Sequence, residues 1–481
     1  MKILYATSEA TPYFKTGGLA DVSRALPDAL LAAGHDIRII TPMYGSARAA
    51  LDSGATAEVA RVPWPEGALD VRFVHHRPAR GAPAVLVERP DAFEGGSPYD
   101  GATHDPLEAG IRFAFFCRAI VRYALDWRPD VIHLNDWTTG FVPVYALADG
   151  LDTATVFAIH NLAYQGNFQS SILEPAGVPP ELFRTENGIE FQHMVSFMKA
   201  GLALSDRLVT VSPTYAREIQ TPAYGEGFDG LLRYRRRVLT GILNGIDTEV
   251  WDPSNDPSLR SNYSAKDIAG KSECREALLA ETRLNGWGPI FSFVGRLVHQ
   301  KGPDLILAAL PSLLESGARL VLLGDGDRRY QHEFQRAARA APDRIAVFNR
   351  FDDGLARRIY AGSDFFLMPS RYEPCGLGQM IAQRYGTPPV ARHTGGLVDT
   401  ITDRRTGFLF DDPTPESVVF AARRAASMWN VKGWPTFIRR CMRLDWSWTR
   451  SAKLYETVYR AATGAIDSTD PPDPGDTSIS R

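Results

Sequence analysis

"YFKTGGLADV", residues 13–22, follows the strand-like run "KILYATSE" at 2–9 and opens the helical pattern "LADVSRALPDALLAAG". A glycine pair after a strand lets the backbone turn sharply and bring its N–H groups close to a ligand. The helix behind it aims a partially positive N-terminus at the same place. Lys15 adds a mobile charge. The stretch reads as strand, tight turn and helix, and it suits a phosphate-bearing ligand. It is neither a Walker loop nor G-x-G-x-x-G, and an ordinary strand–turn–helix with a surface lysine fits it equally well.

The same alternation runs through the chain. Strand candidates in the first half are "KILYATS", "IRIITP", "AVLVE", "DVIHLND", "TVFAIHN" and "RLVTVSP"; in the second they are "IFSFVGR", "RLVLLGDG", "IAVFNRF", "DFFLMPS", "PPVARH" and "GFLFDD". Several are continuous apolar runs, as parallel strands buried on both faces require. Amphipathic stretches of helical length, such as "PLEAGIRFAFFCRAIVRYALD" and "GPDLILAALPSLLESG", separate many of them. The expectation is α/β, with two successive doubly wound units. Turn and breaker residues cluster in "LTGILNGIDTEVWDPSNDPSL", which sets the boundary there. The expected division is a first domain at 1–243, a second at 244–445, and a helix at 446–463 that returns to the first. The Pro-, Ser- and Asp-rich 464–481 is expected to be a disordered tail.

Composition narrows the function classes. The 481 residues are 44% hydrophobic and 23% charged, a soluble globular profile. A formal net charge of -3 gives no basic excess for nucleic acid. The one dense basic patch, "RYRRRV" at 233–238, reads as a solvated helix face. Cys117, Cys274, Cys375 and Cys441 are scattered, with no C-x-x-C pair, which fits a reducing compartment without a zinc site. The start is too short and too quickly acidic for a secretory signal, and no apolar run is long enough for a membrane span. A cytoplasmic protein without membrane or nucleic-acid partners is expected; its oligomeric state is not legible.

In open α/β sheets ligands bind at the carboxyl ends of the strands. Polar and glycine-rich residues fall at those ends here. Asp136 follows "DVIHLN"; His160 and Asn161 follow "TVFAI"; Asn244 follows "LTGIL"; Arg296, with Lys301 five residues on, follows "FSFVG". "DFFLMPS" leads into Glu373, Cys375 and the turn Gly376–Leu377–Gly378, and "PPVAR" into Thr394, Gly395 and Gly396. Two cations facing glycine-bearing helix starts suit a diphosphate, the leaving group of a nucleotide-sugar donor, whose growing charge needs fixed donors. With Arg296 and Lys301 so placed, protein cations are expected to replace a metal, and neither metal nor cofactor is expected. Taken singly, each residue has a plainer role open to it. Arg296 is also placed to cap a helix or pair with Asp304, Glu373 to sit in solvent, His160 to bond structurally, and Asp136 to act as an N-cap.

With these residues in view, the chain resembles the bacterial glycogen synthase and plant starch synthase family, from Met1 to about Ala462. The resemblance is carried by "KTGGLADV", "HLNDW", "IHNLAYQG", "KAGLALSDRLVTVSPTYAREI", "ILNGIDTEVWDP", "VGRLVHQKG", "SRYEPCGLGQ" and "TGGLVDT". It implies a glycosyltransferase B-type fold, two Rossmann-like domains facing a deep cleft. It further implies transfer of glucose from ADP-glucose to the non-reducing end of an alpha-1,4-glucan such as glycogen, with retention and release of ADP. Front-face attack is the favoured picture, the departing phosphate taking the acceptor proton.

Carried over by resemblance, Lys15, Asp21 and the Gly17–Gly18 amides meet the donor from the first domain. Arg296 and Lys301 hold the diphosphate, and Glu373 the glucosyl hydroxyls. The Cys375–Gly378 and Thr394–Leu397 amides bind sugar and phosphate. His160 lies against the reacting sugar, Asp136 near sugar and acceptor, and Asn161 and Asn244 line the site. Phe351 stacks on the base where relatives often have Tyr. Asn135 stands where many relatives have a second histidine, Arg350 where Gly is common, and Glu108–Ala109 where Asp-Asn is common, after the retained Pro98–Tyr99. The alternatives are a two-domain transferase that uses UDP-glucose or makes a disaccharide, and an inactive glucan-binding protein.

Overall fold

The computed structural model describes residues 1–95 and 106–464. Pro98–Tyr99 and all of the expected tail except its first residue lie outside them. Two compact units emerge: Met1–Gly245 joined by the chain from Trp448 onward, and Ile246–Ser447.

The first unit is built on β1 (Lys2–Ala6), β2 (Asp36–Pro42), β3 (Thr56–Trp64), β4 (Gly67–His76), β5 (Ala84–Glu88), β6 (Val131–Asn135) and β7 (Ala154–Ile159). After β8 (Asn167–Phe168), β9 (Glu190–Phe191) and β10 (Met194–Ser196), which form a small antiparallel sheet, come β11 (Arg207–Thr210) and β12 (Leu239–Gly241). The nine-stranded sheet runs β12-β11-β7-β6-β1-β2-β5-β4-β3. All its pairings are parallel except β3 with β4 and β4 with β5. Strands β5 and β6 are buried at every residue, as mostly apolar strands covered on both faces are.

The antiparallel hairpin β3–β4 was not among the sequence expectations. Its outer strand, "TAEVARVPW", is largely exposed, so it carries polar residues and an edge proline, Pro63, in place of an apolar run. The patch at 233–238 is also not one solvated helix face. The helix ends at Tyr234, and Arg235 turns back to donate to the carbonyls of Leu202, Ala203 and Ser205 at the end of the helix Phe197–Leu204. A cation at a helix carboxyl end satisfies its orphan carbonyls and complements the dipole.

The helix Trp448–Ala462 belongs to this unit. Trp448, Ala452, Tyr455, Val458 and Tyr459 enter the same core as Ile3, Tyr5 and Leu26, and the Tyr459 hydroxyl meets His133 Nδ1 at 3.0 Å.

The second unit has β13 (Ile290–Val294), β14 (Arg319–Leu323), β15 (Ile345–Phe348), β16 (Phe365–Met368), β17 (Pro389–Arg392) and β18 (Phe408–Phe410). The order is β15-β14-β13-β16-β17-β18, every pair parallel. Strand order reverses between β13 and β16, and in the first unit between β1 and β6. Crevices open at such points beyond the carboxyl ends of the strands. Among the described residues no helix is long and apolar enough to cross a membrane.

Candidate active site

In the second unit the expected residues flank the reversal point. Arg296 follows β13 by one glycine, is exposed, and its side chain has no ionic or hydrogen-bonding partner among the described residues. Asp304 does not pair with it: that carboxylate is held by Arg371 through two bonds of 2.9 and 2.6 Å. Lys301 sits in a short 3-10 turn before Gly302, whose left-handed φ of 68° starts the helix Pro303–Glu315. Its Nζ donates to Glu373 Oε2 at 2.6 Å, and Ser370 Oγ donates to the same oxygen at 2.9 Å. Glu373 is only 4% exposed, so it is not a loop carboxylate in solvent. Burying a carboxylate without a partner costs several kcal/mol, about the scale that a close ammonium and a hydroxyl donor offset.

The two loops are stapled: Arg371 donates its N–H to the Gln300 carbonyl and Gln300 Nε2 donates to the Tyr372 carbonyl. Lys301 and Glu373 therefore form one preorganised unit, and Arg296 is an unspent cation beside it in sequence.

The glycine loops divide the work differently from expectation. The N–H groups of Thr394, Gly396 and Leu397 are taken within the chain, Gly396 donating to the Glu373 and Pro374 carbonyls at 3.1 and 3.2 Å. These amides are not open to phosphate. The reason is close backbone packing: Gly395 has φ 47°, and a Cβ there would stand 1.9 Å from the Glu373 carbonyl oxygen. The loop braces Glu373. By contrast the N–H groups of Gly376 and Leu377, just before the helix Gly378–Arg384, donate to no acceptor among the described residues. Gln379 Nε2 fixes that turn through the Cys375 and Gly376 carbonyls, and Cys375 is buried. Phe351, just past β15, holds out a ring 80% exposed, with Arg350 drawn aside to Asp352.

In the first unit Asp136 and His160 come together. Asp136 has φ 56° and does not cap the short helical turn after it. Its Oδ1 accepts instead from the His160 N–H at 2.7 Å and more weakly from Asn161. Burial pushes its carboxyl up to about 7 against those two bonds. The His160 Nε2 lies 2.8 Å from Asn135 Oδ1, and burial lowers its pKa to about 4. Asn161 turns its side chain onto the Ala163 N–H, and Asn244 is buried with its Oδ1 unpartnered.

The opening loop differs from expectation too. Lys15 is exposed and paired with Asp21 at 2.7 Å. The Gly17 N–H is not free: Glu9, 1% exposed just past β1, accepts from Thr16 and Gly17 through Oε2 at 2.6 and 3.2 Å. Gly18 begins the helix, exposed. Glu9 and Ser370 were missed by sequence reasoning. An acid directly after the strand at the reversal point was the available signal for Glu9.

Two doubly wound parallel sheets, with cations and a buried carboxylate at strand carboxyl ends, define the class of B-type glycosyltransferases. Residues 2–234 match the family model described as starch synthase catalytic domain, and 275–430 that of glycosyl transferases group 1. A glycogen synthase of Anaeromyxobacter sp. (strain Fw109-5) is 46% identical, covering 96% of this chain and 99% of its own. One from Myxococcus xanthus is 43% identical over 95% and 99%. The catalytic domain of starch synthase IV from Arabidopsis thaliana, bound to ADP and acarbose, superposes with a TM-score of 0.87 at 32% identity, covering 96% of this chain and 99% of that one. A sucrose-phosphate synthase from Thermosynechococcus elongatus, at 20% identity and a TM-score of 0.62, shares the fold alone. The chain belongs to the glycogen synthase and starch synthase family of glycosyltransferases.

Proposed function

We propose that the chain transfers glucose from ADP-glucose to the non-reducing end of an alpha-1,4-glucan with retention, releasing ADP. The observation that carries it is the pairing of the buried Glu373 with Lys301, five residues on from an Arg296 whose side chain has no partner among the described residues, at the strand reversal of the second unit. Arg296 and Lys301 stabilise the charge that grows on the departing diphosphate, and their fixed placement lowers the cost of reorganisation. Glu373, held in place by the Lys301 ammonium, accepts from hydroxyls of the glucosyl group. The acceptor hydroxyl oxygen bonds to the anomeric carbon as the carbon–phosphate oxygen bond breaks, and the hydroxyl proton passes to the released phosphate.

Lys15 exchanges Asp21 for the donor. An exposed pair of this kind is worth about 0–1 kcal/mol, so the exchange is inexpensive. Phe351 stacks on the base, and the Gly376 and Leu377 amides meet sugar or phosphate. A cytoplasmic setting fits four buried cysteines with no disulfide among the described residues.

Release of ADP from ADP-glucose, measured with and without glycogen and beside UDP-glucose, tests this. Glycogen-dependent ADP release with a lengthened, iodine-staining polymer is expected. A preference for UDP-glucose, or a soluble disaccharide product, overturns it.

A further inference from the structure

We infer that Asn135 is a positioning residue that locks His160 as its neutral Nε2–H tautomer, leaving Nδ1 as a hydrogen-bond acceptor. The inference rests on the reading that His160 touches the sugar, but its first test does not.

The carboxamide is oriented by its own hydrogen bonds. Asn135 Nδ2 donates to the Ala6 carbonyl at 2.8 Å, across from β6 to β1, so the other atom of the amide is the oxygen. That Oδ1 accepts from the Tyr5 hydroxyl at 3.1 Å and faces His160 Nε2 at 2.8 Å. An oxygen with no hydrogen can only accept, so Nε2 carries the proton. Asn135 and Tyr5 are fully buried, which removes water as a competing partner. Nδ1 of His160 finds no partner among the described residues, whereas a ring nitrogen buried without one would be penalised. A sugar hydroxyl would donate to it.

Burial, rather than the charged and titratable groups around the ring, favours neutrality. On the β1 side stand Tyr5 and Glu9, the latter close enough to raise the Asp136 carboxyl. On the β6 side stand His133, which is itself held neutral by burial, and Asp136, whose bond goes to the backbone N–H of His160 rather than to its ring. Burial keeps His160 uncharged down to about pH 4. A neutral amide at 135 supplies orientation without adding charge; a carboxylate there would stabilise the imidazolium.

The test is ¹⁵N NMR of the full chain labelled at histidine nitrogen, with the His160 signals assigned by their loss in His160→Gln. At pH 7 the wild type should show a protonated Nε2 and a bare Nδ1. Asn135→Leu should lose that bias, and Asn135→Asp should turn the ring into imidazolium at a pH where the wild type is neutral. In turnover, Asn135→Leu should lower kcat by about 10–100-fold, the range for a misplaced group, with little change in donor KM. The acidic limb of kcat in Asn135→Asp should move toward neutral pH relative to the wild type.

An Nδ1–H tautomer or an imidazolium in the wild type at pH 7 overturns the inference, as does wild-type kcat in Asn135→Leu while His160→Gln is impaired. Wild-type turnover in His160→Gln itself would instead refute the sugar contact, leaving the tautomer to be judged by the spectra.

Discussion

At the scale of single residues, Arg296 and Lys301 differ in what else they hold, and this separates chemistry from stability. The Arg296 side chain has no partner among the described residues, so Arg296→Ala should lower kcat by about 10²–10³-fold, as loss of one preorganised donor does, with stability unchanged to within about 0.5 kcal/mol. Lys301→Ala should lower kcat similarly but also destabilise the second unit, because among the described residues the Glu373 carboxylate keeps only Ser370. Steady-state kinetics beside urea unfolding would show the split. A second residue-scale expectation concerns acid. His133 and His160 have folded pKa values near 3 and 4, below the ordinary 6.5, so their stabilising effect is full above pH 6.5 and is lost as pH falls toward 4. Each contributes a slope of about 1.4 kcal/mol per pH unit. Asp136, raised to about 7, has the opposite slope over the same window and cancels about one of them. Unfolding free energies at pH 6.5 and 5 should therefore fall on acidification, more steeply in Asp136→Asn and less steeply in His160→Gln.

Elements were legible in proportion to their burial. The parallel strands at the centre of each sheet announce themselves as apolar runs, and every one read from the sequence forms. The β3–β4 hairpin was invisible because an exposed edge demands no such run, and β8–β10 are too short to show a period. Loops at strand ends were located correctly, since glycine and polar residues must interrupt the runs there, but the use of each amide was not. Nothing in "TGGL" says that Gly396 donates to the Glu373 carbonyl, or in "KTGG" that Glu9 takes the Gly17 N–H; these depend on segments brought close by the fold. The bracing role carries its own expectation. Gly395→Ala adds a Cβ in a left-handed conformation, 1.9 Å from a backbone oxygen, and should cost about 2–4 kcal/mol. Because Glu373 shifts with it, kcat should fall as well. Unfolding and kinetics on the one variant would check both.

Across the whole molecule, the chain leaves its first unit, builds the second, and returns. The helix Trp448–Ala462 contributes Trp448, Tyr455 and Tyr459 to the core around β1. Removing large buried aromatics costs about 3–5 kcal/mol apiece, against a total stability of about 5–15, so a chain ending at Ser447 should not yield a folded first unit by circular dichroism or limited proteolysis. In the proposed reaction, the charge of the leaving diphosphate is met by the chain itself, through Arg296 and Lys301. The most direct test is the initial rate of glucose incorporation from ADP-glucose into glycogen in the presence of excess EDTA. The same rate with and without the chelator is predicted. Loss of incorporation on chelation, restored by Mg²⁺ or Mn²⁺, would contradict the account.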